Sequence, residues 1–543
     1  MRRIRQTQIF VSILVVTAVL ASAGLHASSL NALNDNNVTY SNRATFTSQP
    51  NTVEPFSFLL SWQRDPTQTM TIDWHTSAQG SPTMQYRRNN SQATWRNITG
   101  ETKPFPYTNR YIQRVEITNL LPDTEYQFRF GPGLKQYKFR TMPSDSHSRP
   151  IRFVAGGDMM HNAVTMRNVN KTVATYDIDF VAIGGDLSYA DGKPGLYDRW
   201  YQYLEVWTET MIRADGRVIP HLAGIGNHEV KMGMVSNYAN TDNAFDGTHD
   251  WRLREAPYYY NLMAFPGDPG YAALDFGEYL SLIFLDTGHT NPIQGKQTEW
   301  LELALANRAS FEHVIPIYHF PGWPSVRNPT SWNSRQVRTH FIPAFERYSN
   351  VRIAFENHDH AYKRTYPIRN NEISPTGIVY VGDGAWGVSI REPGPHVGTD
   401  EGWYLEKAAP QRHFILVEIE EESLNLQMID QNGNVFDSLQ LNNRSMITSV
   451  PQPTTPAAYI LEQNYPNPFN SSSVIRFALP ERTRVTLEVY TLTGRLISTL
   501  IDREMNEGWH SANVRAENLT SGTYVYRLRA GDRILTKKMM LIK

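Results

Sequence analysis

Five short apolar runs in this sequence each end in side chains that can bind metal ions. The runs lead into GGDMM, GGDLSY, GNHE, YHF and NHDH, and their metal-capable residues are Asp158, Asp186, Tyr189, Asn227, His228, His319, His358 and His360. Apolar runs of this length predict buried strands, and α/β proteins gather their sites at the carboxyl ends of such strands. The order therefore predicts one edge of one sheet that carries seven ligands for a pair of metal ions.

The residue types fit a dinuclear centre that acts on phosphate. Asp and Asn supply hard oxygen atoms, His supplies imidazole nitrogen, and Tyr189 can supply a phenolate to a strongly Lewis-acidic ion. A carboxylate such as Asp186 can bridge two cations about 3.5–4 Å apart, a spacing that clamps the attacking and leaving oxygens of phosphoryl transfer. Each motif alone has a simpler explanation, such as a turn or a helix cap. Their recurrence favours the metal hypothesis.

The elements that must position these residues are strands that alternate with helices. IRFVAGGD, IDFVAIGGD, PHLAGIGNH, HVIPIYH and VRIAFENHDH each pass from apolar to polar residues at the end of a predicted buried strand. Helical stretches such as LYDRWYQYLEVWTETMI and KQTEWLELALANR separate them. We expect an α/β sandwich domain over residues 150–445, with paired glycines that leave room beside the ligands.

Composition sets the broader class of protein. A chain of 543 residues is too long for one ordinary core and predicts several domains. Lys and Arg (52) nearly balance Asp and Glu (53), so no global field directs the chain to nucleic acid or anionic lipid. Cysteine is absent, which excludes thiolate catalysis, thiolate zinc sites and iron–sulfur clusters.

The first 27 residues are typical of an export signal peptide. A basic head precedes the apolar stretch from Ile9 to Leu20, and small residues suited to signal peptidase follow it. An uncleaved anchor is the alternative, although this stretch is shorter than the ~20 residues that span a bilayer. No later stretch is apolar enough to cross a membrane. Residues 28–50, rich in Asn, Ser and Thr, are predicted to be a linker.

Alternating apolar residues predict all-β domains on both sides of the α/β domain. In residues 51–145, Tyr126 follows a turn at Pro122 and Asp123, an arrangement similar to the tyrosine corner of immunoglobulin-like and fibronectin type III sandwiches. A β-barrel is the alternative. After a Pro- and Thr-rich linker at 446–458, residues 459–543 again contain short alternating strands and predict a second sandwich.

The order of the five motifs resembles that of the calcineurin-like metallophosphoesterases and, among them, the purple acid phosphatases. GDLSY is the most specific match, because its Tyr separates purple acid phosphatases from relatives that use a His near the first Asp, where this chain has Met160. The preceding sandwich fits the fibronectin type III-like domain of plant-type members. The resemblance implies two metal ions. A ferric ion would be bound by Asp158, Asp186, Tyr189 and His360. A divalent ion of zinc, manganese or iron would be bound by Asp186, Asn227, His319 and His358.

The resemblance also implies an acid phosphatase reaction, in which a metal-bound hydroxide hydrolyses a phosphate monoester. His228 would contact the phosphate or protonate the leaving alkoxide. Asn357 replaces the Gly of the family's GHxH, and the family's substrate-contacting His pair has no match in FPGWPSVRNPTSWNSR. Arg327 or Arg335 is a candidate to hold phosphate instead, with a solvated surface role as the alternative. Asp383 would either orient a ligand His or form a turn.

The carboxyl-terminal segment resembles the type A sorting domain of the type nine secretion pathway. The resemblance rests on NYPNPFN and the terminal KKMMLIK within residues 459–543. It implies secretion across the outer membrane, to the medium or the cell surface, with the secretion machinery as a partner. An ordinary sandwich that binds carbohydrate or a partner protein is the alternative.

Three hypotheses about function remain open. The first is a secreted phosphatase for small phosphate monoesters. The second keeps the metal ions but changes the substrate, to a phosphodiesterase, nucleotidase or phytase activity, since pocket walls decide specificity. The third is a surface binding protein with an inactive metallophosphoesterase domain, against which the complete ligand set argues.

Overall fold

The computed structural model describes residues 55–80, 82–90, 92–239, 241, 244–441, 458–464, 467–470, 472–516 and 519–542. The predicted signal peptide at 1–27 and the predicted linker at 28–50 lie outside these residues, as does nearly all of the linker predicted at 446–458.

Two four-stranded antiparallel sheets form the amino-terminal part, with strand orders β1-β2-β6-β5 and β4-β3-β7-β8. Alternate residues of their strands, such as Leu60, Ile72 and Phe128, are buried in a shared core. The strands are β1 (Phe58–Ser61), β2 (Met70–Thr76), β3 (Thr83–Arg88), β4 (Arg96–Thr99), β5 (Glu101–Pro104), β6 (Tyr111–Ile117), β7 (Glu125–Arg129) and β8 (Tyr137–Arg140).

Tyr126 makes the hydrogen bond that defines a tyrosine corner. The backbone N–H of Leu121 donates to its hydroxyl at 2.9 Å, and its ring stacks on Phe139 with centroids 5.4 Å apart. A tyrosine that bonds the backbone a few residues upstream closes the turn between two sheets of a sandwich. This contact agrees with the arrangement expected from the sequence.

The central part contains a six-stranded sheet of order β11-β10-β9-β21-β22-β23 and a seven-stranded sheet of order β12-β13-β14-β15-β19-β16-β20. A small ladder joins β17 to β18. The strands are β9 (Ile151–Gly156), β10 (Phe180–Ile183), β11 (His221–Ala223), β12 (Ala272–Phe276), β13 (Leu280–Leu285), β14 (His313–Tyr318), β15 (Ile353–Glu356), β16 (Tyr362–Thr365), β17 (Ile368–Arg369), β18 (Glu372–Ile373), β19 (Val379–Gly382), β20 (Leu405–Ala409), β21 (His413–Glu420), β22 (Ser423–Asp430) and β23 (Val435–Leu441).

Helices connect many of these strands, and two of them lie within the stretches that the sequence predicts to be helical, namely α2 and α5. The helices are α1 (Ala163–Val173), α2 (Tyr197–Thr210), α3 (His249–Glu255), α4 (Pro257–Leu262), α5 (Lys296–Ala306), α6 (Trp332–His340) and α7 (Ile342–Phe345). Within the described residues, none of them has both the length and the apolar character that a bilayer crossing needs.

The two central sheets face each other across an apolar core. Phe153 on β9 stacks on Phe180 of the neighbouring strand at 4.9 Å between centroids and meets the edge of Phe355 on β15, in the other sheet, at 6.5 Å. The next residue of β9, Val154, packs in a separate cluster with α1 and α2. Burial on both faces explains why these parallel strands are continuously apolar rather than alternating.

Two antiparallel sheets form the carboxyl-terminal part, with orders β24-β25-β28 and β27-β26-β29-β30. Alternate residues of β26, Val485, Leu487 and Val489, are buried in its core. The strands are β24 (Ile460–Leu461), β25 (Ser472–Leu479), β26 (Thr483–Thr491), β27 (Leu496–Met505), β28 (Gly508–Arg515), β29 (Gly522–Ala530) and β30 (Arg533–Leu541). The structure therefore has all-β parts on both sides of the α/β part, as the sequence predicts.

Candidate metal centre

The seven predicted metal ligands lie beyond the carboxyl ends of five strands that are parallel to their neighbours within each sheet. Asp158 follows β9, Asp186 follows β10, and Asn227 begins a single 3-10 turn, Asn227–Glu229, after β11. His319 follows β14 directly, and the segment with His358 and His360 follows β15. Hydrogen bonds and ion pairs between these segments bring all five motifs together.

The five strands belong to two sheets rather than one. β9, β10 and β11 lie in the six-stranded sheet, whereas β14 and β15 lie in the seven-stranded sheet. The expectation of a single sheet edge is wrong in this respect, because an apolar run identifies a strand but not the sheet that it joins. Since the two sheets face each other, the ends of both strand sets meet at one site.

Asp158, Tyr189 and His360 form the first contact group. The Tyr189 hydroxyl donates to Asp158 Oδ1 at 3.0 Å. The Nε2 atom of His360 lies 2.9 Å from the same oxygen and 3.3 Å from the Tyr189 hydroxyl. All three residues are buried. These are three of the four residues that the sequence predicts around the ferric ion.

Asp186, Asn227, His319 and His358 form the second contact group. His319 Nε2 lies 3.2 Å from Asp186 Oδ2, 3.1 Å from Asn227 Oδ1 and 3.1 Å from His358 Nδ1. One ligand atom each of Asp186, His319 and His358 lies within 4.8 Å of the others. The backbone N–H of His358 donates to Asp158 Oδ2 at 2.9 Å, and this bond connects the two groups.

The Oδ2 atom of Asp186 is buried and accepts no hydrogen bond within the described residues, although His319 Nε2 is 3.2 Å away. Leaving a buried acceptor unpaired costs about 1–3 kcal/mol, and more when it is charged. A cation in contact with this oxygen would remove that cost. Carboxylate, amide, phenol and imidazole donors together suit iron, zinc or manganese, so the residues fit a pair of such cations.

The pKa shifts in both groups indicate which protons a bound cation would displace. Burial and Asp158 raise the pKa of Tyr189 well above 10, so its phenolate requires a strong Lewis acid. Burial lowers the pKa of His319, but Asp186 outweighs burial and raises it to about 9. Burial and His319 lower the pKa of His358 well below 6.5, which keeps that ring neutral. Binding a cation at His319 therefore releases a proton.

Backbone strain is concentrated at the same residues. Asp158 (φ 57°), Asp186 (φ 56°), Tyr189 (φ 59°), His358 (φ 82°) and His360 (φ 62°) all adopt the left-handed conformation. Non-glycine residues rarely do so, and each such residue costs of the order of 1–3 kcal/mol. Five of the seven proposed ligands thus hold a conformation that the surrounding contacts must impose.

Asn357, which departs from the family's GHxH pattern, fills space that two glycines leave open. A Cβ atom at Gly157 would lie 2.3 Å from Asn357 Oδ1, and one at Gly184 would lie 1.8 Å from Asn357 Nδ2. The amide also donates to the carbonyl oxygen of Tyr318 at 2.9 Å. Asn357 therefore ties the end of β14 to the two GGD loops without replacing a proposed ligand.

His228 faces the centre, with its side chain 36% exposed. Its Nδ1 atom lies 2.6 Å from Asp191 Oδ1, and its Nε2 atom lies 4.0 Å from Asp186 Oδ2. Burial lowers the pKa of His228, but the hydrogen bond to Asp191 outweighs burial and raises it. Asp191 carries no motif of its own, although it lies on the same loop as GDLSY.

Glu229 is a second residue whose role the sequence does not reveal. Its fully buried carboxylate accepts the backbone N–H groups of Gly226 (2.8 Å), Asp186 (2.9 Å) and Leu187 (2.8 Å). Burial and the neighbouring Asp186 raise the pKa of Glu229 to about 7. One carboxylate thus ties the GDLSY loop to the GNHE turn. Its place directly after GNH is the signal that could have found it.

Three further predicted residues lie in different settings. Arg327 Nη1 donates to the carbonyl oxygen of His358 at 2.7 Å and to Asp359 Oδ1 at 2.9 Å, which places its guanidinium beside the ligand loop. Arg335 is exposed on α6. The Asp383 carboxylate accepts from Ser325 Oγ at 2.9 Å and orients no ligand imidazole among the described residues.

Asp383 instead holds a ligand through its backbone. Its carbonyl oxygen accepts the backbone N–H of His360 at 2.8 Å. Two residues that belong to no sequence motif, His161 and Arg391, also lie in this region. His161 has its ring centroid 5.4 Å from that of Tyr189, and the backbone N–H of Arg391 donates to the carbonyl oxygen of His360 at 3.0 Å.

Comparisons with known proteins find similarity in both flanking regions and to purple acid phosphatases. Residues 55–141 match the family described as the purple acid phosphatase N-terminal domain, and residues 463–543 match a secretion system C-terminal sorting domain. The chain is 27% identical over 287 residues to purple acid phosphatase 21 of Arabidopsis thaliana, covering 52% of this chain and 60% of that protein. The chain resembles the purple acid phosphatases.

Other purple acid phosphatases of Arabidopsis thaliana give similar matches. Purple acid phosphatase 22 is 25% identical over 53% of this chain and 62% of its own length. Fe(3+)-Zn(2+) purple acid phosphatase 12 is 24% identical over 55% of this chain and 62% of its own length. The chain thus spans about three fifths of the length of these purple acid phosphatases. A solved structure of a predicted phosphoesterase from Streptococcus pneumoniae has 10% identity, covers 54% of this chain and 98% of its own, and has a TM-score of only 0.23.

Proposed function

We propose that this chain is a secreted, dinuclear metal-dependent phosphatase that hydrolyses phosphate monoesters in the manner of purple acid phosphatases. The observation that carries the proposal is the buried Oδ2 atom of Asp186, which accepts no hydrogen bond within the described residues and lies 3.2 Å from His319 Nε2, close to a ligand atom of His358. Without a cation, the charge of this oxygen is met by the neighbouring His319, whose pKa is raised to about 9. A bound cation would take the place of the His319 proton.

In this proposal the seven residues divide between two cations. Asp158, Tyr189 and His360 would hold the first, Asn227, His319 and His358 would hold the second, and Asp186 would contribute to both. When bound, the cations supply Lewis acidity, which lowers the pKa of water toward neutrality and neutralises charge on a phosphate. The name of one similar protein, Fe(3+)-Zn(2+) purple acid phosphatase 12, supports iron(III) as the first ion and zinc as the second, with manganese or iron as alternatives for the second.

His228 is the proposed acid of the reaction. Asp191 holds the Nδ1 side of its ring, and this hydrogen bond turns Nε2 toward Asp186 and the centre. A proton on Nε2 is then placed to contact a phosphate oxygen or to reach the leaving alkoxide. The side chain is partly exposed, so a substrate can approach it from solvent.

The flanking parts support an exported enzyme. We propose that residues 51–145 form a fibronectin type III-like domain, that residues 150–445 form the catalytic domain, and that residues 459–543 direct the chain to the secretion machinery. The match to a secretion system sorting domain supports the last assignment. The predicted signal peptide at 1–27 would begin export.

Metal analysis combined with a visible spectrum tests the proposal directly. We expect the purified mature chain to carry two metal ions, to cleave p-nitrophenyl phosphate, and to show a purple charge-transfer band that disappears in Tyr189→Phe. Asp186→Asn should lower kcat/KM by more than a hundredfold, since even outer partners of metal ligands contribute roughly 10–100-fold. Asp275→Asn removes a partly exposed carboxylate that pairs with Arg308 and serves as the control.

Two results would contradict parts of this proposal. A colourless but fully active protein would contradict the binding of iron(III) to the Tyr189 phenolate and would support a general metallophosphoesterase instead. A protein that binds two metal ions yet cleaves no activated monoester, with Asp186→Asn unchanged in every assay, would favour a surface binding protein with an inactive domain.

A further inference from the structure

Two arginine side chains converge on one backbone oxygen at the edge of the metal centre. The carbonyl oxygen of His358 accepts from Arg327 Nη1 at 2.7 Å and from Arg391 Nη1 at 3.3 Å. The backbone N–H of Arg391 also donates to the carbonyl oxygen of His360 at 3.0 Å. Both guanidinium groups are therefore fixed to the loop that carries two proposed ligands.

The two positive charges are compensated unequally. Arg327 pairs with the buried carboxylate of Asp359 at 2.9 Å. Arg391 is half-buried and has no carboxylate within 4 Å in the part of the chain that the structure describes. Burial and Arg327 lower its pKa, and the more distant carboxylates of Asp158 and Asp359 offset this only in part. Two guanidinium groups at one neutral oxygen repel each other, and a bound anion would relieve that repulsion. Arginine also matches phosphate oxygens through paired N–H groups.

The position of this pair separates it from the reacting phosphate. His358 presents Nδ1 to His319 and Asp186, whereas the arginines bind its backbone oxygen. The phosphate under attack would lie with the cations and His228. The arginine pair lies beside that position, where a second anionic group of the same substrate would reach.

We propose that Arg391, together with Arg327, binds a second phosphoryl group of the substrate, so that the site prefers phosphate esters with two or more phosphoryl groups over simple monoesters. This proposal rests on the proposed phosphatase function and names the substrate class of the same site. Nucleoside diphosphates and sugar bisphosphates belong to this class, and p-nitrophenyl phosphate does not.

The test measures binding and turnover with the metal-loaded full chain. Methylenediphosphonate has a P–C–P linkage that hydrolysis of a P–O bond does not break, and inorganic phosphate is the single-group comparison. We expect Arg391→Gln to weaken diphosphonate binding in calorimetry by roughly tenfold or more, as the loss of a charge-assisted contact implies, and to change phosphate binding by less than about twofold. KM for ADP should rise by a similar factor, while KM for p-nitrophenyl phosphate stays within about twofold.

Arg412→Gln is the matched control. Arg412 is also half-buried and donates through Nη1 to a backbone carbonyl oxygen, that of Trp386, at 2.9 Å. It should leave both affinities unchanged. Arg391→Lys keeps the charge without the paired N–H geometry, so it should lose only part of the preference for diphosphonate over phosphate. It provides a second variant if Arg391→Gln does not fold or retain metal.

The outcomes separate this proposal from the proposed function. Equal weakening of phosphate and diphosphonate in Arg391→Gln would overturn it, because the arginine would then hold the reacting phosphate. Unchanged diphosphonate binding in Arg391→Gln, or no binding by the wild-type chain, would also overturn it. A wild-type chain that binds diphosphonate through Arg391 but cleaves no phosphate ester would contradict the phosphatase function and leave the anion site in place.

Discussion

Replacement of Glu229 by Gln tests whether one buried carboxylate holds two loops of the metal centre together. Its Oε2 atom accepts the backbone N–H groups of Asp186 and Gly226, and its Oε1 atom accepts that of Leu187. Gln keeps one acceptor oxygen, so at least one buried N–H is left facing an amide NH₂ group. An unpaired buried donor costs about 1–3 kcal/mol, and above the Glu229 pKa of about 7 the remaining bonds also weaken because their acceptor loses its charge.

The total expected loss is about 2–4 kcal/mol in the unfolding free energy of the central domain. With an unfolding entropy of roughly 2.1 cal/mol/K per residue, a domain of about 300 residues melts about 1.6 °C lower for each kcal/mol, so the metal-loaded variant should melt roughly 3–6 °C below the wild type. Because Asp186 loses its backbone tether, metal affinity should fall by about 10–100-fold, as it does for changes to the partners of metal ligands.

Calorimetry of the full chain and metal analysis after graded chelation measure both effects. Glu418→Gln is the control, because Glu418 is a partly exposed carboxylate that pairs with Arg152 on the sheet surface, where an ion pair contributes about 0–1 kcal/mol. A Glu229→Gln protein that melts within about 1 °C of the wild type and keeps both metal ions at every chelator concentration would refute the reasoning.

The remaining predictions concern other parts of the centre and its support. Gly384→Ala should remove the first cation and the visible colour, because its Cβ atom would lie 1.8 Å from Asp158 Oδ2 at a φ of +66°. Asp437→Asn should destabilise the chain by about 1 kcal/mol at neutral pH, after allowance for solvent screening, and the difference should shrink as pH falls from 4 to 2. Chelation of bound cations should lower the melting temperature, with a loss of about 4 kcal/mol when free metal had been a thousandfold above Kd.

The sign for Asp437 follows from its partners. Burial raises its pKa, but hydrogen bonds from Arg364, Lys407 and Tyr362 outweigh burial and lower the pKa to about 2 from 3.8. A carboxylate whose pKa is lower in the folded state than in the unfolded state stabilises the fold. This stabilisation is fully present above the pKa of the unfolded state and is lost as pH falls through the pKa of the folded state. Thermal melts of both proteins from pH 7 to 2 measure this, and a difference that grew toward pH 2 would contradict it.

Controls for the other two predictions are available in the same chain. Gly216→Ala has a similar positive φ of +86° but meets open space, so it should cost only the local backbone strain and keep both metal ions. A Gly384→Ala protein that keeps its colour would contradict the expected crowding of Asp158. For chelation, an unchanged melting temperature after complete metal removal would show that the cations contribute nothing to folding.

Much of the candidate centre could be predicted because its signals are local. An apolar run that ends in Gly-Gly-Asp needs no distant contact to indicate a buried strand with a polar end. The residue types identify which atoms can bind metal. For these reasons the positions of β9, β10, β14 and β15 agree with expectation. Contacts in the structure also bring together the predicted ligands Asp158, Asp186, Tyr189, Asn227, His319, His358 and His360.

The supporting contacts could not be predicted in the same way. Glu229 gives no sign of being a tether because its role depends on three N–H groups that the fold turns toward it. Arg391 carries no motif, and it reaches the centre only because the chain after β19 returns to the His358 loop. Asp383 is predicted to act through its side chain or to form a turn, yet it supports His360 through its backbone oxygen.

The sequence alone determined which side chains can bind metal and that each follows a buried strand, since residue type and apolar run length are properties of short segments. Only the tertiary structure decided that two sheets supply the site and that strained backbones turn the ligands inward. It also decided that the side chains of Arg327 and Arg391 lie beside the centre. The physical reason is distance along the chain: the bond from the His358 N–H to the Asp158 carboxylate joins residues 200 positions apart, and only packing of the sheets brings them together.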